Sequence, residues 1–286
     1  TCALPILKFM IIAIDGPSAS GKSTTAKGVA EKLGITHVDT GAMYRAVTLG
    51  LKLSEISPDD EAGVCQYLSE IELYFDANNK IHLNGIDVSH EIRSGDISSR
   101  VSAVSAIPEV REKMVIIQRR IAGEQNCVLE GRDIGTVVFP NAEFKFFLIA
   151  DIDVRAKRRL IELEKMGETK SISELIEDIR RRDQLDSSRD HSPLIQADDA
   201  IPIDTSQLAI NEQIKKIINI KNKGKIFQIF CCCITISVKF KDRDNKTTEI
   251  IVQPNGISYE IICAAERKDP KKAHLLLLAQ PAIMIE

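Results

Sequence analysis

The chain has 286 residues, of which 44% are hydrophobic and 28% charged, with a formal net charge of −3. That length gives one large domain or two smaller ones with ample core, and the near-balanced charge argues against a general nucleic-acid or membrane-surface binder. Cys2, Cys65, Cys127, Cys231, Cys232, Cys233 and Cys263 form no C-x-x-C pair, and no His near the Cys231–Cys233 run completes a zinc set. They read as reduced thiols, which together with the lack of an apolar run of about 18 residues predicts a cytoplasmic protein that crosses no membrane.

Residues 1–9 stand ahead of the first element and read as an extension, with Met10 as the natural start. An apolar run at 10–14 predicts a buried strand, and a helix-forming run at 24–33 ends at Gly34. Between them lies Gly16-Pro17-Ser18-Ala19-Ser20-Gly21-Lys22-Ser23, followed by Thr24, a complete G-x-x-x-x-G-K-[ST] pattern. Strand, glycine loop and helix in that order make a phosphate site: the glycines curl the backbone so that successive N–H groups and a helix N-terminus converge on one anion. Lys22 then reaches the β- and γ-phosphates of a nucleoside triphosphate, and the Ser23 hydroxyl holds Mg²⁺.

Farther along, 37–39 predicts a second strand, and Asp39 or Thr40 caps a helix carrying Met43, Tyr44 and Arg45. Short β-rich runs at 73–75, 80–83 and 86–88 are separated by Asn78-Asn79 and Asn84-Gly85, which predicts a small antiparallel insertion. Strands are expected at 127–129, 144–149 and 200–204, and helices at 108–122, 154–166 and 174–184, the last opened by a Ser171-x-x-Glu174 capping box. Such alternation implies a parallel sheet flanked by helices, with ligands at the carboxyl ends of the strands. A break falls at Asn222-Lys223-Gly224-Lys225. Beyond it, 229–241, 249–253 and 259–263 read as β-rich, and 225–286 is unassigned, either an added module or sequence past the end of the domain.

The glycine loop alone does not choose among kinases, GTPases, motors and transporters. No Asn-Lys-x-Asp base reader stands in the α/β region. Instead Arg45, Arg111, Arg132, Arg155, Arg158, Arg159, Arg182 and Arg189 lie at or near predicted strand ends, the set that two phosphate-bearing substrates require, because guanidinium forks bind phosphate oxygens bidentately. Arg132, between Gly131 and Asp133 after an apolar run, is placed to meet a ligand. His37, His82, His90, His191 and His274 show no cluster or triad spacing, and surface or structural roles are expected for them.

Five blocks in order carry a specific resemblance: the loop 16–23, Asp39-Thr40-Gly41-Ala42-Met43-Tyr44-Arg45, Val110-Arg111-Glu112, the run 130–140 that opens Glu130-Gly131-Arg132-Asp133, and Arg182-Asp183-x-x-Asp186-x-x-Arg189. Over about residues 10–222 the chain resembles the bacterial cytidylate kinases. The resemblance implies a P-loop kinase fold, with a central parallel sheet flanked by helices, a β-rich monophosphate-binding insertion at about 65–100 and a mobile lid at about 154–170. It implies an enzyme that phosphorylates CMP and dCMP from ATP with Mg²⁺, and a monomer is expected. By block, Gly16, Pro17, Ser18, Ala19, Ser20, Gly21, Lys22, Ser23 and Thr24 bind ATP, while Ser18, Arg45 and Arg132 reach the CMP phosphate. Thr40 and Tyr44 line its sugar–phosphate side, Ser102, Arg111 and Asp133 read cytosine, and Arg182 with Asp186 holds the ribose. Arg155, Arg158, Arg159 and Arg189 close over the transferring group. Glu130 stands where many members carry Asp, keeping the charge but extending the reach by one methylene. Two alternatives stay open at this point: a related kinase with another acceptor, and a nucleotide-binding module without turnover.

Overall fold

The computed structural model describes residues 9–123, 125–165, 167–233, 236–241 and 247–252. Strand β1 (Ile11–Asp15) is buried along its whole length, as a central strand covered on both faces must be. It is flanked by β6 (Cys127–Gly131) and β7 (Phe144–Ile149), with β2 (Thr36–Asp39) beyond β6 and β8 (Ile201–Asp204) beyond β7. All four pairings are parallel. The register sets Asp15 opposite Gly131 and Asp39 opposite Glu130, so the carboxylates at the strand ends share one edge of the sheet. The chain leaves β1 towards β2 and later returns to β6 and β7 on either side of β1. That places the glycine loop at a topological switch point, the crevice where ligands of open α/β sheets bind.

Helix α1 (Lys22–Leu33) follows the loop, and Gly34 ends it in the left-handed conformation with its N–H on the Ala30 and Glu31 carbonyls. Helix α2 (Thr40–Leu53) is capped by the Asp39 carboxylate, which accepts from the Ala42 N–H at 2.8 Å. Its long apolar face, including Met43, Val47 and Leu51, belongs to the main core.

The insertion comprises α3 (Glu61–Glu70), the antiparallel strands β3 (Leu73–Phe75), β4 (Ile81–Leu83) and β5 (Ile86–Asp87), a 3-10 turn at Glu91–Arg93, and α4 (Gly95–Val104). Asn84 and Gly85 both take positive φ, 50° and 81°, as a tight two-residue hairpin turn demands. Leu73, Ile81, Leu83, Ile97 and Val101 join the same core as α2, so the insertion is anchored by packing and not only by the chain.

Helix α5 (Pro108–Ala122) opens with Pro, whose missing N–H costs nothing there. Helices α6 (Ile152–Lys165) and α7 (Ile172–Ser187) pack through Ala156, Leu163, Leu175 and Ile179, a cluster separate from the main core. The capping box of Ser171 and Glu174 starts α7, which runs to Ser187 instead of stopping near 184 and thereby includes Asp186. No helix among the described residues is long and apolar enough to cross a membrane.

The chain divides into two compact units, Thr1–Ile218 and Asn219–Glu286. In the second, β9 (Ile236–Lys241) pairs antiparallel with β10 (Thr247–Val252). One expectation is corrected. Residues 229–233 are not strand but the end of α8 (Ile210–Cys233), which runs straight through the break at 222–225. Once a helix is nucleated, each added residue gains a hydrogen bond, and one Gly costs only about 1 kcal/mol, too little to stop it. The β-rich reading of 259–263 and the extension at 1–8 fall outside the described residues.

Candidate active site

The glycine loop is held by contacts to its own backbone. Gly16 has φ +149°, and a Cβ there would stand 2.2 Å from the Leu148 carbonyl oxygen, so only glycine fits. Gly21, at φ 90°, is the N-cap of α1. Carbonyls of the loop accept from distant parts of the chain: Ser18 from Arg155 Nη1 at 3.3 Å and Ser20 from Thr205 Oγ1 at 2.9 Å. The buried Gln213 accepts from Thr25 Oγ1 at 2.7 Å, and Arg158 donates to the Thr205 carbonyl at 2.7 Å. Pinned in this way, the loop offers its N–H groups without first paying to order them.

Lys22 is buried, and its Nζ donates to the Pro17 carbonyl at 2.6 Å. Burial first, then the like charge of Arg132, lowers its pKa well below the usual lysine range. Ser23 Oγ donates to Glu130 Oε2 at 2.6 Å, while Oε1 of the same carboxylate meets His37 Nε2 at 3.0 Å. Hydroxyl and carboxylate oxygens are the hard donors that Mg²⁺ takes beside phosphates and water, so this pair fits that ion.

Asp15 is buried next to the loop, and its two oxygens accept from the Ile134 N–H at 2.9 Å and the Gly135 N–H at 2.7 Å. Desolvation outweighs these bonds and pushes its pKa up to about 6.

Opposite the loop stands the arginine set. Asp186 is buried and bridges two of its members, taking Arg132 Nε at 2.8 Å on Oδ2 and Arg189 on Oδ1. Burial raises the Asp186 pKa, but Arg132 and Arg189 outweigh it and hold the carboxyl below its ordinary range. Arg182 is pushed down to about 10 by burial and then by Arg132. Asp39, whose carboxylate caps α2, also takes Arg45 Nη2 at 3.2 Å. The buried Nε atoms of Arg45, Arg111, Arg155, Arg182 and Arg189 have no hydrogen-bond partner among the described residues. For Arg182 and Arg189, burial and neighbouring arginines also press on the charge, and an anion relieves such crowding, which fits phosphate groups here.

A third cluster joins Arg111, Asp133 and Tyr44. Arg111 and Asp133 form an ion pair with side chains only 4% and 5% exposed. Arg111 Nη1 donates to the Ser105 carbonyl at 3.1 Å, and its guanidinium lies 5.4 Å from the centre of the Tyr44 ring. Burial, then Asp133, raises the pKa of the Tyr44 phenol. The pair presents a charged acceptor beside a charged donor in a largely desolvated setting.

Several expected residues have partners within the chain. Thr40 is buried with its hydroxyl donating to the Glu130 carbonyl at 2.6 Å, which ties α2 to β6. Ser102 offers its carbonyl to the Ser105 hydroxyl at 3.1 Å, and it is Ser105 that touches Arg111 and Arg189. Arg159 pairs with Glu162 at 3.1 Å along its own helix, whereas Arg155 and Arg158 reach the loop and Thr205. Asp15, His37, Ser105, Thr205 and Gln213 were not anticipated. Asp15, the residue directly before Gly16, carried one available signal: an acid ending a fully apolar strand.

The cytidylate kinase family profile matches residues 12–223. A cytidylate kinase from Halalkalibacterium halodurans is 46% identical over 215 residues, covering 74% of this chain and 97% of that protein. One from Caldanaerobacter subterraneus subsp. tengcongensis is 48% identical over 218 residues, covering 75% and 97%. One from Clostridium tetani is 44% identical over 223 residues, covering 76% and 98%.

Proposed function

The chain belongs to the cytidylate kinase family, and from that premise we propose that it transfers the γ-phosphoryl group of ATP to CMP and dCMP, giving ADP with CDP or dCDP. The observation that carries this reading is the meeting of two sites at one sheet edge: a pinned phosphate loop with a buried Lys22, and a crowd of arginines beside the buried Arg111–Asp133 pair. The unit that does this is taken to be 10–222, with the insertion at about 65–100 and the lid at about 154–170. Residues 225–286 have no assigned part.

In the proposed reaction an oxygen of the CMP phosphate attacks the γ-phosphorus. One P–O bond forms as the bond to the β,γ-bridging oxygen breaks, and ADP leaves with the electron pair. No enzyme nucleophile is needed, because such transfer is governed by positioning and charge neutralisation. The loop N–H groups hold the triphosphate, and Lys22 exchanges the Pro17 carbonyl for phosphate oxygen. Ser23 and Glu130 would hold Mg²⁺, which when bound neutralises charge on the β- and γ-oxygens. Arg45, Arg132 and Arg189 draw the CMP phosphate into line, Arg155 and Arg158 close the donor side, and Asp186 with Arg182 takes the ribose hydroxyls. A carboxylate has about four acceptor positions, so Asp186 retains room for them beside its two arginines.

Base choice follows from the polarity of the buried pair. Asp133 accepts from the cytosine amino group, and Arg111 donates to N3 and O2. Uracil reverses the polarity at N3 and the exocyclic position and would leave both protein groups unpaired, a mismatch that costs up to about 10⁴ in specificity. We further take the enzyme to be a cytoplasmic monomer. Incubation with Mg·ATP and CMP followed by anion-exchange chromatography tests the reading. It predicts CDP and ADP in equal amounts, and an absence of CDP contradicts it.

A further inference from the structure

Three side chains from three elements meet at the donor end of the site: Ser23 on α1, Glu130 on β6 and His37 on β2. The Glu130 carboxylate joins them, with Ser23 Oγ on Oε2 at 2.6 Å and His37 Nε2 on Oε1 at 3.0 Å. The Glu130 and His37 side chains are 5% and 11% exposed, so water competes little for either contact. A carboxylate can only accept, and therefore Nε2 carries the proton in this bond. The other ring nitrogen, Nδ1, is buried without a hydrogen-bond partner among the described residues, while Nε2 bonds Glu130.

A glutamate at this position carries one more rotatable bond than an aspartate. Fixing it on the Ser23 hydroxyl through Oε2 alone leaves the carboxylate free to rotate about its last torsions. A second anchor on Oε1 removes that freedom. Glu130 and Thr40 supply the same restraint for the backbone, since the Thr40 hydroxyl binds the Glu130 carbonyl at 2.6 Å. The backbone and both carboxylate oxygens are thus each held by a different neighbour.

We propose that His37 is a positioning residue for the metal-bearing end of ATP: it fixes Oε1 of Glu130 so that Oε2 and the Ser23 hydroxyl keep the orientation that a magnesium–nucleotide complex requires. This rests on the kinase reading above. His37 touches neither nucleotide nor ion. It acts through Glu130, so its removal weakens binding of the magnesium complex and spares binding of the bare nucleotide, which the loop N–H groups and Lys22 hold.

The test is calorimetric titration of ADP into the full chain, once with Mg²⁺ and once with EDTA, for wild type, His37→Leu and His37→Gln. Leu keeps much of the bulk and has no donor, whereas the Gln amide places an N–H near the position of Nε2. Loss of one hydrogen bond to a buried carboxylate predicts Mg·ADP binding about tenfold weaker in His37→Leu, with metal-free ADP changed by less than about twofold. His37→Gln returns Mg·ADP affinity to within about threefold of wild type. Equal losses with and without Mg²⁺ in His37→Leu, or a Gln variant no better than the Leu variant, would overturn the proposal. If the Leu variant does not fold, the Gln variant decides it: a loss of Mg·ADP affinity as large as about tenfold overturns the proposal, and near-wild-type binding in both titrations supports it. Absence of CMP-dependent ADP formation by the wild type would instead count against the kinase reading, which this binding comparison does not use.

Discussion

The ammonium of Lys22 donates to the carbonyl oxygen of Pro17, five residues back in the same loop, at 2.6 Å. The loop therefore holds its own lysine folded over it, where the proposed function puts the triphosphate. Burial and the charge of Arg132 make that ammonium poorly satisfied, and a triphosphate offers it a stronger partner. Lys22→Ala is expected to cut kcat by about 10² or more, by analogy with removing one preorganised donor. Steady-state turnover measures this, and a variant within about threefold of wild type contradicts the role.

Asp15 makes stability depend on pH in an unusual direction. Its pKa stands near 6 in the fold against an ordinary 3.8, with burial the main cause and Asp133 adding to it against two backbone N–H bonds and Lys22. Between those values the unfolded chain has released the proton and the folded chain still binds it, so this group's contribution falls as pH rises from 3.8 to about 6. The change is about 3 kcal/mol across that window. Urea unfolding of wild type and Asp15→Asn across it measures the effect, because the amide does not titrate. The wild-type stability minus that of the variant is expected to decline with rising pH, and a flat or rising difference contradicts the assignment.

The Arg111–Asp133 pair predicts a selective defect. Asp133→Asn keeps the shape but removes the charge that faces Arg111 and, in the proposed reading, the cytosine amino group. The kcat/KM for CMP is expected to fall by about 10², while ADP affinity stays within about threefold. Equal losses in the two measurements point to a structural role instead. Asp133→Ala is expected to be worse folded as well, since breaking a buried pair costs about 3–5 kcal/mol.

Gly16 tests the backbone. Its φ of +149° and the 2.2 Å approach of a would-be Cβ to the Leu148 carbonyl leave no room for alanine. Gly16→Ala is expected to lose about 2 kcal/mol or more of stability, and nucleotide binding with it. Thermal unfolding with and without ADP checks both. A variant that melts with wild type and is stabilised equally by ADP contradicts the account of the loop.

What was legible in the sequence was whatever local chemistry dictates. The loop 16–23 could be read because only glycine satisfies Gly16 and Gly21, and the hairpin because Asn84-Gly85 is a turn with a mechanism. What escaped depends on residues brought together from far apart. Gln213 meets Thr25 across 188 residues and Thr205 meets Ser20 across 185, and no window of sequence contains either pair. Ser105 was not singled out, because the Arg189 that its hydroxyl meets lies 84 residues away. His37 was set aside for want of a cluster, although its partner Glu130 arrives from another strand 93 residues away. The helix through 229–233 was missed because β-branched and cysteine residues read as strand, while the growing helix outweighed their preference.

Acceptor choice tests the central claim most directly: ADP formation from Mg·ATP with CMP, dCMP, UMP, AMP or shikimate, each over a range of concentrations. The geometry predicts turnover with CMP and dCMP well above the ATP-only control, and kcat/KM for CMP above that for UMP by about 10² or more. No turnover with CMP above that control, or equal use of CMP and UMP, would contradict it.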